Sequence, residues 1–280
     1  MKTLRRSIRK PEVGGEPLPA PFQAFERAGM VLRRAEVTVI AGTPGAGKSS
    51  VALHIAARLK QPTLYFSADT NAHTMAMRLL AMTGNMTQQQ AENMLKQHPD
   101  TAESILADNN HLYWSFESSP SLKDLDEEVM AFETMWGRSP TLIVVDNLMD
   151  IAMDGHDEFG GMRQAMKELK YLARDTNACV LVLHHTKESY NGSPCQPRAA
   201  LQGMVAQVPA MILTVGQKEL PTGLDYYLCV APVKNRYGRA DQTGNTYVEL
   251  SFDPARMYLD DILKIQQFEQ PNFDEDPEVL

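Results

Sequence analysis

Eight residues constrain this chain more than any other feature. Gly42-Thr43-Pro44-Gly45-Ala46-Gly47-Lys48-Ser49 satisfies every fixed position of G-x-x-x-x-G-K-[ST]. The stretch before it, Glu36 to Ala41, reads as a strand, and Val51, Ala52, Ile55, Ala56 and Leu59 after it fall on one helical face. Strand, glycine loop and helix in that order form the context in which backbone N–H groups curl around phosphate oxygens at a helix N-terminus. Gly42, Thr43, Pro44, Gly45, Ala46, Gly47, Lys48, Ser49 and Ser50 are therefore the candidate phosphate-binding set. Within it Lys48 is placed to reach the terminal phosphates, and Ser49 to hold Mg²⁺.

The rest of the chain supplies the fold that such a loop needs. Thr63 to Ser67, His111 to Phe116, Thr141 to Asp146, Ala178 to His184 and Ala210 to Val215 are β-branched or apolar runs separated by helical patterns. Alternation of this kind predicts a mostly parallel sheet flanked by helices on both faces. Thr87 with Gln90 and Ser121 with Asp124 are capping boxes, the second helix closing at Gly137. Met162, Ala165, Met166, Leu169, Leu172 and Ala173 make an apolar stripe between Phe159 and Asp175. After Gly216 the pattern becomes strands joined by turns, Tyr226 to Val233, Asn245 to Phe252 and Arg256 to Asp260, which predicts an antiparallel extension.

Composition narrows the class. With 43% hydrophobic residues and 280 positions, one α/β core of ordinary size is expected over residues 22–262. Residues 1–21 read as an arm and linker, in which Leu4 and Ile8 lie at i,i+4 spacing among Arg5, Arg6 and Arg9. Residues 263–280 read as an acidic tail that could dock a basic partner. Lys plus Arg total 27 against 35 Asp plus Glu, a net charge of −8, which excludes a uniformly basic nucleic-acid coat while leaving room for a local basic channel. No apolar run approaches membrane-spanning length, and no secretory signal follows the basic start, so a cytoplasmic protein is expected. Three cysteines without C-x-x-C spacing indicate neither a disulfide framework nor a zinc site.

Two strands end in carboxylates. Leu142 to Val145 is apolar up to Asp146, where an acid can orient Mg²⁺ beside the phosphate loop. Leu64-Tyr65-Phe66-Ser67-Ala68 leads to Asp69, which could activate water or instead cap the helix that follows Thr70. His184 and His185 close the strand from Ala178. Neighbouring strand residues point to opposite faces, so a shared metal is disfavoured, while simple capping of a buried strand stays open.

At these residues the chain resembles the RecA-like ATPase core, and most closely the motor domain of DnaB-type hexameric replicative helicases. Phe66-Ser67-Ala68-Asp69 resembles the family's Phe-Ser-h-Glu, with an acid one methylene shorter. Asp146-Asn147-Leu148-Met149 resembles Asp-Tyr-Leu-x, and Leu169-Lys170-Tyr171-Leu172-Ala173 resembles Leu-Lys-x-Leu-Ala. Lys234-Asn235-Arg236-Tyr237-Gly238 resembles Lys-x-Arg-x-Gly. The resemblance implies that ATP and Mg²⁺ bind at Gly42–Ser50 with Asp146, that Asp69 is the catalytic base, and that His185 senses the γ-phosphate. Lys234 and Arg236 would then reach a neighbour's nucleotide within a homo-oligomer, a hexamer in this family. It further implies an ATP-dependent DNA helicase or translocase acting on single-stranded DNA. Of the strand-end loops, 187–203 carries the groups suited to a nucleic-acid backbone, Lys187, Tyr190, Asn191 and Arg198. The family's N-terminal domain has no counterpart here, and its Arg-x-Ser-Gly stretch is reduced to Ala200-Leu201-Gln202-Gly203, so primase recruitment is not implied. Two alternatives remain open at this stage: a recombination mediator or loader ATPase without unwinding, and a DNA-independent regulatory ATPase of the same fold.

Overall fold

A computed structural model describes residues 15–152, 158–188, 192–219 and 226–262. The amphipathic arm, the acidic tail, Tyr190 and Asn191 lie outside the described residues.

Among the described residues nine strands form one sheet: β1 (Val37–Gly42), β2 (Thr63–Ser67), β3 (Leu112–Ser115), β4 (Leu142–Asp146), β5 (Cys179–His185), β6 (Met211–Glu219), β7 (Tyr226–Asn235), β8 (Val248–Asp253) and β9 (Tyr258–Asp261). Their order is β3-β2-β4-β5-β1-β6-β7-β8-β9. The first six positions are parallel and the β6 to β9 pairings are antiparallel, as the sequence pattern predicts. β1, buried along its length, sits between β5 and β6, so the loop that follows it emerges near the middle of the sheet. Phosphate sites of open α/β sheets lie at this edge, the carboxyl ends of the parallel strands.

Seven α-helices accompany the strands among the described residues: α1 (Gln23–Arg27), α2 (Lys48–Leu59), α3 (Ala72–Thr83), α4 (Gln88–Gln97), α5 (Pro99–Leu106), α6 (Leu122–Trp136) and α7 (Glu158–Thr176). Both capping boxes form as read from the sequence, and Gly137 closes α6 in the left-handed conformation. α2 packs Val51, Leu53 and Ile55 on one face of the sheet with Phe22 and Phe25. α6 and α7 pack Leu125, Val129, Met166 and Leu169 on the other. Helices α3 to α5 gather a small core of their own around Leu80, Ala81, Ala91 and Ala102.

Several element ends differ from the sequence pattern; β7 runs on to Asn235 and β9 begins at Tyr258. β6 continues through Gly216 to Glu219, because Gln217, Lys218 and Glu219 pair with Leu228, Tyr227 and Tyr226. β8 starts at Val248, not Asn245, because the Asp241 carboxylate collects the N–H groups of Thr243 and Thr246 and holds the preceding residues in a turn. α5 was not anticipated; Pro99 opens its first turn, and Ala102, Ile105 and Leu106 turn onto the small core shared with α3 and α4.

β9 is tied to the front of the chain. The Asp261 carboxylate accepts from the N–H groups of Gln23 and Ala24, both at 2.8 Å, supplying the cap that Phe22 cannot give α1. His54, 3% exposed on α2, faces the Ser50 carbonyl through Nδ1 at 3.0 Å and accepts the Leu259 N–H at Nε2 at 3.2 Å. That pairing fixes the neutral Nδ1–H form. Burial, aided by Arg58, lowers its pKa to about 4. The unfolded chain therefore binds this proton first as pH falls, and the folded chain resists it. Stability is expected to decline between the ordinary histidine value and about pH 4, by about 3 kcal/mol from this residue. Denaturant titration at pH 7 and pH 4.5 checks this, with His54→Gln expected to remove most of that slope.

Candidate nucleotide site

The loop after β1 is shaped by close approaches that only glycine tolerates. Gly47 has φ 97°, and a Cβ there would lie 2.5 Å from Leu228 Cδ1. A Cβ on Gly42 would lie 2.7 Å from the Val215 carbonyl. Gly45, with φ 76°, opens to space, and its carbonyl accepts from Gln217 Nε2 at 2.9 Å. β6 and β7 thus brace the loop from the antiparallel side, and Gly47 leads directly into α2.

Lys48 is 8% exposed and folds back over its own loop, donating to the carbonyls of Gly42 at 3.2 Å and Thr43 at 3.0 Å. Burial lowers its pKa, and the nearby Asp146 and Asp69 carboxylates partly offset this. Asp146, 7% exposed, is displaced in the opposite sense: burial raises its pKa against hydrogen bonds from Ser49 and Tyr65. The Tyr65 hydroxyl donates to Asp146 Oδ2 at 3.1 Å and is held protonated by burial and by that carboxylate. A buried lysine and a buried acid beside a glycine cradle would both gain from an anion and a hard cation. Ser49 and Asp146, already joined, provide the oxygen ligands Mg²⁺ prefers.

Asp69 does not cap the helix that follows it. Asn71 does, its side chain accepting from Thr74 N at 2.9 Å. The exposed Asp69 carboxylate turns instead toward Asn147, whose Nδ2 lies 3.4 Å from Asp69 Oδ2. The same Nδ2 lies 3.4 Å from His185 Nε2, and His185 Nδ1 lies 3.5 Å from Lys48 Nζ. Asn147 is 5% exposed, and its orientation is fixed because Oδ1 accepts from Met149 N at 2.8 Å. A continuous chain, Lys48 to His185 to Asn147 to Asp69, therefore runs across the ends of β1, β5, β4 and β2. Asp150 adjoins it, its pKa raised by burial and by Asp69. Burial, then Lys48, lowers the His185 pKa, which keeps the ring neutral near pH 7. His184 points elsewhere, to the Gln202 carbonyl at 3.0 Å, so the pair shares no ligand. Among the described residues no cluster of three or more His, Cys, Asp or Glu side chains could hold a metal.

An AAA domain family profile matches residues 20–189, spanning strand, glycine loop and both terminal carboxylates. The chain belongs to the AAA domain family. This AAA domain is also 33% identical over 266 residues to the Gene 65 protein of Mycobacterium phage L5, covering 93% of the present chain and 99% of that protein. Among solved structures it is similar to an isolated ATPase domain, with a TM-score of 0.75 at 15% identity, covering 92% of this chain and 96% of that one. A DnaB-like replicative helicase studied for its interactions with primase matches with a TM-score of 0.74 at 15% identity, covering 92% of this chain and 66% of that one. The fold is that of a RecA-like P-loop ATPase, a family whose chemistry uses a nucleotide and Mg²⁺.

Lys234 and Arg236 lie apart from the loop. Lys234 pairs with Ile212, which pairs with Val39, near the starting end of β1. Lys234 donates to the carbonyls of Ala206 at 2.7 Å and Gln207 at 3.0 Å, and Arg236 approaches those of Gln207 and Val208 at 3.4 Å. Burial and the charges of Arg236, Arg198 and Lys170 lower the Lys234 pKa to about 8. From that level Gly42 is three residues further along β1 and two strands away, roughly 10 Å in each direction. Neither side chain can span this gap to its own loop. Lys187 is exposed at the mouth of a loop closed by its N–H on the Ala200 carbonyl, and Arg198 is tied through its N–H to Gln242. Sequence reasoning missed Asn147, Tyr65 and Gln217. Nothing in their residue types marks them; only the pairing of β2 with β4 and the reach of β6 bring them in.

Proposed function

We propose that this AAA domain is the motor of a DnaB-like helicase or translocase that hydrolyses ATP as an oligomeric ring on single-stranded DNA. The observation that carries this reading is the side-chain chain from Lys48 through His185 and Asn147 to Asp69, which links the phosphate loop to the strand leading into 187–200. In this reading Gly42–Ser50 hold the phosphates, Ser49 and Asp146 hold Mg²⁺, and Asp69 takes the proton of the attacking water. Bound Mg²⁺ supplies neutralisation of phosphate charge. A neutral imidazole accepts at only one nitrogen, so His185 takes a hydrogen bond from Lys48 or from Asn147, not both. When Lys48 turns to a phosphate, Nδ1 loses its neighbouring donor and Nε2 is free to accept from Asn147. His185 thereby reports nucleotide state to the loop bearing Lys187, Tyr190, Asn191 and Arg198. Lys234 and Arg236, too far from their own loop, serve the neighbouring subunit's nucleotide, and turnover depends on assembly.

Steady-state ATP hydrolysis measured over a range of protein concentrations, with and without a single-stranded oligonucleotide, tests this reading. Specific activity is expected to rise with concentration and again with DNA, and a partial duplex should be unwound. Turnover indifferent to DNA would demote the chain to a regulatory ATPase. DNA stimulation without strand displacement would make it a mediator or loader.

A further inference from the structure

Tyr65 sits in the middle of β2, fully buried, between Val144 of β4 and Trp114 of β3 in the strand register. Its ring belongs to the apolar core formed with Met75, Leu79, Leu142 and Val144, surroundings that suit a phenylalanine equally well. The hydroxyl is what tyrosine adds, and a buried phenol needs an acceptor. It finds Oδ2 of Asp146 at 3.1 Å. Asp146 stands two residues beyond Val144 on the same face of β4, so the phenol reaches it diagonally across the strand pair. On the outer side the Trp114 ring lies 4.7 Å from the Tyr65 ring, backed in turn by Phe116 at 5.9 Å with 8° between the planes. The phenol is thus wedged where it meets the carboxylate.

A carboxylate has two oxygens, and a metal can use one or both. Asp146 is buried and accepts from Ser49 as well as from Tyr65. With Oδ2 tied to a wedged phenol, the group cannot swing to offer both oxygens to one cation. Mg²⁺ loses nothing by this, since it keeps several waters in a strict octahedron and takes a carboxylate through a single oxygen. Ca²⁺ does lose, because its larger and looser shell draws on carboxylates through both oxygens. Without the phenol O–H, Oδ2 would be a buried acceptor lacking that donor, and a cation could then satisfy it.

We propose that Tyr65 is a positioning residue that presents Asp146 to the metal through one oxygen and thereby makes the nucleotide site prefer Mg²⁺ to Ca²⁺. The inference rests on the reading in which Ser49 and Asp146 hold the metal, and it stands whatever the chain does with DNA. A tyrosine that served packing alone would leave the metal preference untouched.

Equilibrium binding of a fluorescent ATP analogue, titrated with Mg²⁺ or with Ca²⁺, tests it without turnover. In Tyr65→Phe the ratio of half-saturating Mg²⁺ to half-saturating Ca²⁺ should rise about tenfold, the size of change that follows when a group orienting a metal ligand is removed. Trp114 emission, read in Trp136→Phe chains that hold no other tryptophan, should match with and without Tyr65→Phe and so report intact packing. In an Asp146→Asn background, where the carboxylate is gone, Tyr65→Phe should leave the ratio where it was. An unchanged ratio in Tyr65→Phe, or an equal shift in the Asp146→Asn background, would overturn the proposal. The reading beneath it fails differently: if Asp146→Asn alone keeps the wild-type dependence on divalent metal, Asp146 does not serve the metal, and the role of Tyr65 falls with it.

Discussion

Arg236→Ala is expected to lower ATP turnover by about 10³- to 10⁵-fold while nucleotide affinity changes little, the size of effect seen when a cation supplied to a transferred phosphoryl group is removed. The strand register carries the expectation: Arg236 and Lys234 sit near the starting end of the sheet, parked on the carbonyls of residues 206–208, where an approaching anion could draw them off. Loss of turnover alone would not say whose nucleotide they serve. Mixing Arg236→Ala with Lys48→Ala chains does. Each variant is inactive by itself, but where an Arg236→Ala subunit with an intact loop borders a Lys48→Ala subunit with an intact arginine, one site is complete. In an equal random mixture that is half of half the interfaces, so about a quarter of wild-type turnover should return. No recovery would overturn the contribution across the subunit boundary, and full activity of Arg236→Ala alone would remove Arg236 from the reaction altogether.

What was legible in the sequence divides along a physical line. The phosphate loop and the carboxylates Asp69 and Asp146 are local: a strand, a turn and a helix start suffice to place them, and the structure puts the two carboxylates at the ends of neighbouring β2 and β4, with β5 between β4 and the loop's own strand β1. The capping boxes of α4 and α6 are local too, and they form as read. The role of Asp69 beside its helix was open in the sequence, because Asp69 and Asn71 are both good caps; only the backbone path decides that Asn71 takes the helix. Asn147 was illegible for the opposite reason. Its partners Asp69 and His185 lie 78 and 38 residues away, and an asparagine after a strand ordinarily reads as a turn residue. The end of β6 was missed because Gln217 to Glu219 are polar, and only cross-strand pairing keeps them in the sheet.

Asp69→Asn is expected to reduce kcat by about 10²- to 10⁴-fold with KM for ATP little changed, the loss typical of removing a general base. The sharper test lies with Asn147, which holds that carboxylate from the side. Asn147→Ala removes the donor shared by Asp69 and His185, but it also removes the acceptor for Met149 N, so a lower rate could reflect a loosened turn. Asn147→Asp separates the two. An aspartate keeps an oxygen for Met149 N, preserving the turn, yet it sets a second carboxylate beside Asp69 in place of an N–H. Like charge raises the proton affinity of Asp69, and a base must be unprotonated to act. The acid limb of the kcat profile should therefore move to higher pH, with turnover recovering as pH rises. A wild-type acid limb in Asn147→Asp would mean that the group titrating in kcat does not lie beside residue 147, and Asp69 would fall as the base together with the positioning role.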